Sequence, residues 1–155
     1  MYLILSISAI LLSSLIEYLY HRLYLHHSAE IDHIKSHHAQ FRGSKFSVEQ
    51  ANLKEIVSSK KYILLNILPY GLISLYIGFD NLSFGIIFFS FALLYTLWVE
   101  VSHYIYHKPM GYFFENTKTF KRLKRHHKLH HSYYIVNYGI GSRHWDFILR
   151  SFRRF

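Results

Sequence analysis

The chain contains no cysteine among its 155 residues. Without thiolates it cannot form disulfides, iron–sulfur clusters or cysteine-ligated zinc sites, and its redox compartment cannot be inferred from cysteine usage. Histidine is unusually frequent instead, with 13 residues. Imidazole is therefore the only abundant transition-metal ligand that this sequence offers.

Basic residues are missing from three long apolar runs, which extend from Tyr2 to about Tyr20, from Tyr62 to Phe79 and from Leu82 to about Val99. About 20 apolar residues in a helix cross the hydrocarbon core of a bilayer. A chain this short could hardly cover two all-round apolar helices as a soluble domain. We therefore expect an all-α integral membrane fold with about three transmembrane helices and a cytoplasmic, histidine-rich helical cap.

The charge distribution predicts how these helices are oriented. The net charge is +9, and every lysine and arginine lies within residues 22–61 or 108–154. The positive-inside rule then places the N-terminus and the turn at residues 78–81 outside, and residues 21–61 and 103–155 in the cytoplasm. All histidines fall on that same face.

Basic residues beside apolar spans favour contact with anionic lipid headgroups, so we expect no nucleic-acid partner. The first run has no basic residue before it, which favours a retained anchor over a cleaved signal peptide.

Eleven of the histidines form four groups with short spacings: His21 and His26; His33, His37 and His38; His103 and His107; His126, His127, His130 and His131. The two histidines of the third group are four residues apart and project from one helix face. The first two residues of the second group have the same spacing, which leaves His38 near a neighbouring position. In the fourth group, His127 lies beneath His130 and His131. On an ideal helix the side chains of the first pair point about 140° apart, so they need either a helix end between them or metals at different positions.

The number of histidines indicates more than one metal ion. A structural zinc ion closes with four ligands and a catalytic one needs three, whereas about ten imidazoles are available here. Neutral imidazole suits iron, copper, zinc and nickel, so residue types do not select the metal. The chain around the groups is predicted to be helical from His21 to Arg42 and from about Thr117 to His131, with a polar linker starting at Gly43 and a glycine-containing loop before Trp145.

The order of these groups resembles the fatty acid hydroxylase and sterol desaturase superfamily of histidine-box membrane enzymes. The similarity rests on EYLYHR at residues 17–22, HYIYH at 103–107, RHHKLHH at 125–131, NYGI at 137–140 and Trp-Asp at 145–146. Three residues, rather than the commoner two, separate His33 from the His37-His38 pair. The resemblance implies one membrane-embedded domain over residues 1–155, with spans at about 2–20, 62–79 and 82–102. It also implies metal ligands at His21, His26, His33, His37, His38, His103, His107, His127, His130 and His131.

By the same resemblance, two iron ions use O2 as co-substrate to hydroxylate a fatty acyl, sterol or carotenoid C–H bond. Electrons come from an external NAD(P)H-dependent redox protein. A desaturase with the same site is the alternative within this chemistry. A histidine-rich metal transporter or a bis-histidine haem protein would need ligands inside the bilayer, but residues 62–99 contain no histidine.

The remaining polar residues near the groups are expected to have supporting roles. The second of two adjacent histidines is the ligand in the family, so His126 is expected to support the site from outside it. His144 is expected to be an interfacial residue, and His27 has no matching motif position. Glu17, Glu100 and Asp146 each lie beside a histidine group or its motif, where a carboxylate could accept a ring N–H and fix a ligand's tautomer.

Overall fold

The computed structural model describes residues 1–29, 33–48 and 60–154, which form helices and, within these ranges, no β-strand. Five α-helices are numbered in chain order: α1 (Tyr2–Leu19), α2 (Lys60–Asp80), α3 (Leu82–His107), α4 (Lys118–Tyr133) and α5 (His144–Ile148). Two stretches have π-helical hydrogen bonding, the N-terminal π segment (Tyr20–Ser28) and the central π segment (His33–His38). Short 3₁₀ turns cover Gly43–Phe46 and Phe113–Asn116.

Three helices are long and apolar enough to cross a membrane: Tyr2–Ser28, Ile63–Asp80 and Leu82–His107. The predicted all-α membrane fold is thus confirmed. The third helix continues past the predicted end near residue 102, because Ile105 and Tyr106 stay buried in the core that follows the apolar run. The last histidines of α3 are therefore carried on the same rigid helix as the span.

Helices α2 and α3 form a hairpin in which the chain approaches itself closely. A Cβ on Gly85 would lie 2.5 Å from the Ser74 carbonyl oxygen and 2.8 Å from the Gly78 Cα, so only glycine permits this approach. Asn81 alone connects the helices, and its side chain accepts a backbone N–H in the first turn of α3. The connection is tighter than the predicted turn over residues 78–81, since α2 remains helical through Asp80.

A hydrophobic core joins the end of α3 to the cap formed by α4 and its neighbouring loops. Its buried members are Phe46, Tyr95, Val99, Ile105, Tyr106, Phe120, Leu123 and Ile140. Phe46 belongs to the predicted polar linker but is only 3% exposed, since the Gly43–Phe46 turn packs its ring onto the histidine groups. Residues 49–59 of that linker lie outside the described residues.

The C-terminal loop and α5 are fixed to α1 by buried hydrogen bonds. Tyr18 Oη lies 2.7 Å from Ser151 Oγ, and the Trp145 indole N–H donates to Ser14 Oγ over 2.9 Å. His144 Nε2 lies 3.0 Å from the same Ser14 oxygen. His144 therefore takes part in the contact between α5 and α1, and its interfacial position stays a prediction.

Candidate metal centre

Ten histidines converge in two groups, and within each group the candidate ligand atoms lie within 4.8 Å of one another. Cluster 1 comprises His21, His26, His33, His38 and His130, and cluster 2 comprises His37, His103, His107, His127 and His131. Together they contain every histidine that the family resemblance implied as a ligand. His27, His126 and His144 belong to neither. Metal binding by these ten side chains stays a prediction, whereas their convergence is a property of the fold.

Cluster 2 follows from ordinary α-helical spacing. Helix α3 contributes His103 and His107, and α4 contributes His127 and His131, both pairs at i and i+4. The Nε2 atoms of His107 and His127 are 3.2 Å apart, so the two helices present their imidazoles to one point. His130 lies on an adjacent strip of α4 and reaches cluster 1 instead.

Cluster 1 depends on π-helical spacing, which corrects the expectation for the first histidine pair. His21 and His26 are in the same cluster with ring centroids 5.1 Å apart, although they would be out of phase on an α-helix. The N-terminal π segment explains this, because an i→i+5 hydrogen-bond pattern brings residues five apart onto one face. Neither a helix end between them nor separate metals is required.

The same geometry divides the second group differently from the prediction. His33 pairs with His38 at i+5 across the central π segment, and their Nε2 atoms are 3.2 Å apart. His37 points to cluster 2, where its Nε2 lies 3.1 Å from that of His103. The expected α-helical pair of His33 and His37 is therefore wrong. The three-residue spacing before the His37-His38 pair fits the wider π turn.

Backbone carbonyl oxygens fix the tautomers of three cluster histidines. The Nδ1–H of His21 donates to the carbonyl oxygen of Tyr138, and that of His130 donates to Val136 over 2.7 Å. In cluster 2 the Nδ1–H of His107 donates to Phe46 over 2.8 Å. Because a carbonyl oxygen only accepts, each Nδ1 carries the ring proton and each Nε2 has a lone pair directed into its cluster.

Two such lone pairs face each other in cluster 1. The Nε2 atoms of His21 and His130 are 3.1 Å apart, and with both ring protons held at Nδ1 neither can donate to the other. Each lone pair can accept a ring N–H from a neighbour, since His33 Nε2 lies 2.9 Å from that of His21 and His26 Nε2 lies 3.1 Å from that of His130, or it can bind a metal ion. Burial and the neighbouring His21 and His26 hold the pKa of His130 well below its ordinary 6.5, so this ring keeps its lone pair at neutral pH. The donor set therefore fits a metal ion.

Four other cluster histidines outside the spans are also kept neutral. Burial, and after it the positive charge that nearby imidazoles would carry, lowers the pKa values of His33, His38, His127 and His131 well below the usual range. Metal binding requires unprotonated imidazole, so these rings need not lose a proton to bind. The Nδ1 atoms of His38, His127 and His131 have no hydrogen-bond partner among the described residues.

Two carboxylates that were expected to orient ligands instead bind the loop behind the clusters. Glu17 accepts from the Tyr95 hydroxyl at 3.2 Å and from the Ile140 backbone N–H at 2.9 Å. Asp146 accepts from His126 Nε2 at 2.9 Å and from the backbone N–H groups of Tyr138 and Gly139. In these contacts Glu17 thus accepts no ring N–H, and Asp146 accepts one from His126, which belongs to neither cluster, because backbone N–H groups in this buried loop also need acceptors.

This loop is where sequence reasoning missed functional residues. Tyr138 and Val136 accept histidine ring N–H groups through their backbone carbonyl oxygens, so their side chains do not indicate this role in the sequence. The glycine at position 139 is the one residue type that marks the loop. A Cβ on Gly139 would lie 2.2 Å from the Ser142 carbonyl oxygen and 2.9 Å from Asp146 Oδ2. Glycine therefore lets the carboxylate approach the loop that orients His21.

A family model described as fatty acid hydroxylase matches residues 6–151 of the chain. The matched range includes both clusters, the second and third candidate spans, and the first span from residue 6 onward. Comparison with curated proteins and comparison with solved structures each give no significant match.

Proposed function

Since the chain belongs to the fatty acid hydroxylase family, whose members are lipid-modifying oxidoreductases, we propose that it is an O2-dependent di-iron hydroxylase of a lipid-like substrate. The observation that carries this proposal is the pair of five-histidine clusters, with bare Nε2 atoms facing each other in cluster 1. Imidazole is a good ligand for iron, and two adjoining sites suit a two-metal reaction.

The chain's own residues would hold the metals, fix their ligands and exclude water. When bound, two iron ions supply the activation of O2 that oxidises an unactivated C–H bond. The Nδ1 contacts of His21, His107 and His130 hold the imidazoles in the binding tautomer without movement. The side chains of cluster 2 are at most 6% exposed, which keeps bulk water from the oxidising site.

An apolar groove supports the assignment of a hydrocarbon substrate. It has a volume of about 650 Å³ between α2 and α3 and is lined by Ile63, Ile67, Ser90, Leu93, Leu94, Thr96, Leu97 and Glu100. Glu100 lies one helical turn before His103, so the groove leads along α3 toward cluster 2. A fatty acyl, sterol or carotenoid substrate in the bilayer would enter along this path.

Metal analysis and isotope labelling test the activity directly. The purified protein should contain two irons per chain, and lipids exposed to it should gain one oxygen atom from ¹⁸O₂ but not from labelled water. Activity should require a reductase partner that delivers electrons from NAD(P)H. A desaturase with this site would consume O2 and remove two hydrogens without incorporating label. Protein that carries only zinc and oxidises nothing after reconstitution with iron and reductant would rule out the oxygenase.

A matched pair of groove variants tests the substrate path. Leu97→Trp fills the groove near Glu100, while Leu75→Trp makes the same change in a separate apolar groove of about 560 Å³ between α2 and α3. Both leucines are more than half exposed, so neither change should disturb folding. We expect Leu97→Trp to lower lipid turnover at least about tenfold, the effect of losing about 1.4 kcal/mol of transition-state stabilisation, with iron content unchanged. Equal turnover in the two variants would contradict the path.

We further propose that both clusters face the cytoplasm, which rests on the distribution of lysine and arginine around the three spans. The natural absence of cysteine makes the test clean, because single cysteines can be introduced without removing native ones. A cysteine at Ser132 should react with a membrane-impermeant reagent only after the cells are opened, and one at Asn81 should react in intact cells. The reverse labelling pattern would show that the clusters face the outside and the turn at Asn81 faces the cytoplasm.

A further inference from the structure

A concave pocket lined by arginines lies on the outer side of α4, away from the clusters. It has a volume of about 290 Å³, and its charged lining comprises Arg122, Arg125, Arg143, Arg153 and Arg154. His126 forms part of its wall and stacks on Phe152, with ring centroids 5.6 Å apart. The pocket takes its residues from α4, from the start of α5 and from the C-terminal tail, so it exists only in the folded chain.

These arginines have no carboxylate partner within the described ranges. The one histidine in the pocket wall, His126, pairs with Asp146 over 2.9 Å. Asp146 is buried and already accepts from Ser151 Oγ and two backbone N–H groups, so it does not neutralise the pocket. Five guanidinium groups around so small a volume repel one another unless an anion lies between them.

The shape of the pocket is held by contacts within the chain. The side-chain oxygen of Asn137 accepts the Arg153 backbone N–H at 2.8 Å, and the Asn137 amide donates to the Arg153 carbonyl at 3.1 Å. The Arg153 guanidinium lies 3.9 Å from the centroid of the Tyr133 ring, and that of Arg143 lies 5.7 Å from the Phe152 ring. Contacts within the chain therefore hold the backbone of Arg153 and the guanidinium groups of Arg143 and Arg153.

We propose that this pocket binds a phosphate group. Planar guanidinium groups donate paired N–H bonds to phosphate oxygens, and several of them match the multiple charge of a phosphate. The small concave volume suits a compact anion and not the flat face of an acidic protein. The phosphate is that of a lipid headgroup at the membrane surface or that of a soluble phosphate or phosphomonoester.

Binding measurements on the full-length protein, with its metal bound, distinguish these sources. The probes are inorganic phosphate in detergent solution and phosphatidylcholine nanodiscs with or without phosphatidic acid. Arg122→Gln/Arg153→Gln removes two charges from the pocket. Lys121→Gln/Lys128→Gln removes two charges from the same helix at a neighbouring basic cavity. We expect at least about a tenfold loss of phosphate affinity in the arginine variant, about 1.4 kcal/mol, and less than about twofold in the lysine variant.

A charge-conserving variant tests the geometry of recognition. Arg122→Lys keeps the charge but loses the paired N–H donors, so affinity should fall by an intermediate factor while iron content and helicity stay unchanged. Binding of free phosphate identifies a soluble ligand, and binding only to discs with phosphatidic acid identifies a lipid headgroup. Equal losses in the arginine and lysine variants, or no binding of either probe, would overturn the proposal. The proposal would also be overturned if an acidic ferredoxin bound, neither phosphate probe did, and substitution of Arg122 and Arg153 weakened the ferredoxin binding.

Discussion

The two clusters have the same number of histidines but are built and covered differently. Cluster 2 takes four of its histidines from the regular helices α3 and α4, and all its members are at most 6% exposed. Cluster 1 takes four of its histidines from the two π segments, and these include the half-buried His26 and the 9% exposed His33. The two clusters therefore have the same number of imidazoles, but one is built mainly on α-helices and the other mainly on π-helical segments.

This difference shows which parts of the fold position the imidazole rings of each cluster. Long helices packed in one core position the imidazoles of cluster 2, whereas cluster 1 combines local π turns with carbonyl oxygens of the 136–138 loop. π turns inside helices are uncommon and frequently occur at functional sites. We infer that cluster 2 is the more rigid site and cluster 1 the one more open to exchange with its surroundings.

The largest expected effect comes from removing one central ligand of each cluster. His130→Ala in cluster 1 and His107→Ala in cluster 2 should each reduce bound iron from two to about one per chain and lower lipid oxidation by at least about 100-fold, because loss of even an outer partner costs about 10- to 100-fold. Metal analysis and turnover of membrane-inserted protein measure this. His144→Ala, which affects neither cluster, should retain both metals. Equal metal loss in all three variants would show that the site is misassigned.

A swap of two neighbouring residues tests whether cluster 1 really depends on π spacing. Leu25→His combined with His26→Leu moves the imidazole from i+5 to i+4 relative to His21, the position that an α-helix would require. The π segment predicts that the swap weakens iron binding at cluster 1 by more than about tenfold, as for other displaced ligands. His27→Leu, in the same segment but outside the cluster, serves as control. Iron affinity preserved in the swapped chain would mean that the segment is α-helical.

The sequence predicted the spans and the set of converging histidines because both follow from strong regularities. Apolar runs of bilayer length identify α1, α2 and α3. The division of the histidines between clusters was not predictable, since π hydrogen bonding has no residue signature and reassigns His33 and His38. The roles of Tyr138 and Val136 escaped prediction for a related reason, because every residue has a carbonyl oxygen and only the folded loop selects which one accepts.

Acid should destabilise the metal-depleted protein through both clusters. In the unfolded chain a histidine titrates near 6.5, while burial and neighbouring imidazoles lower the folded-state pKa values of His38 in cluster 1 and His131 in cluster 2. Below pH 6.5 the unfolded state therefore binds more protons, and stability falls as the pH falls, by up to about 1.4 kcal/mol per pH unit for each such histidine. Thermal unfolding of His38→Gln and of His131→Gln between pH 7.5 and 5 should each give a shallower slope than the parent chain. Parallel slopes in all three proteins would argue that these rings are protonated in the fold.

The smallest expected effect concerns the rate at which the two metals leave. Because His26 is half buried and cluster 2 is closed, a chelator should remove the iron of cluster 1 first, with a several-fold difference in rate between the sites. Metal release from wild-type protein should then occur in two phases of equal amplitude. His107→Ala, which keeps only cluster 1, should show the fast phase alone, and His130→Ala should show the slow phase alone. This assignment follows from protein cover, since ligand exchange requires local opening and a closed site opens less often. A single phase in the parent chain, or the reverse assignment in the two variants, would mean that ligand cover does not set the order of release and that the π segments are as rigid as the helices of cluster 2.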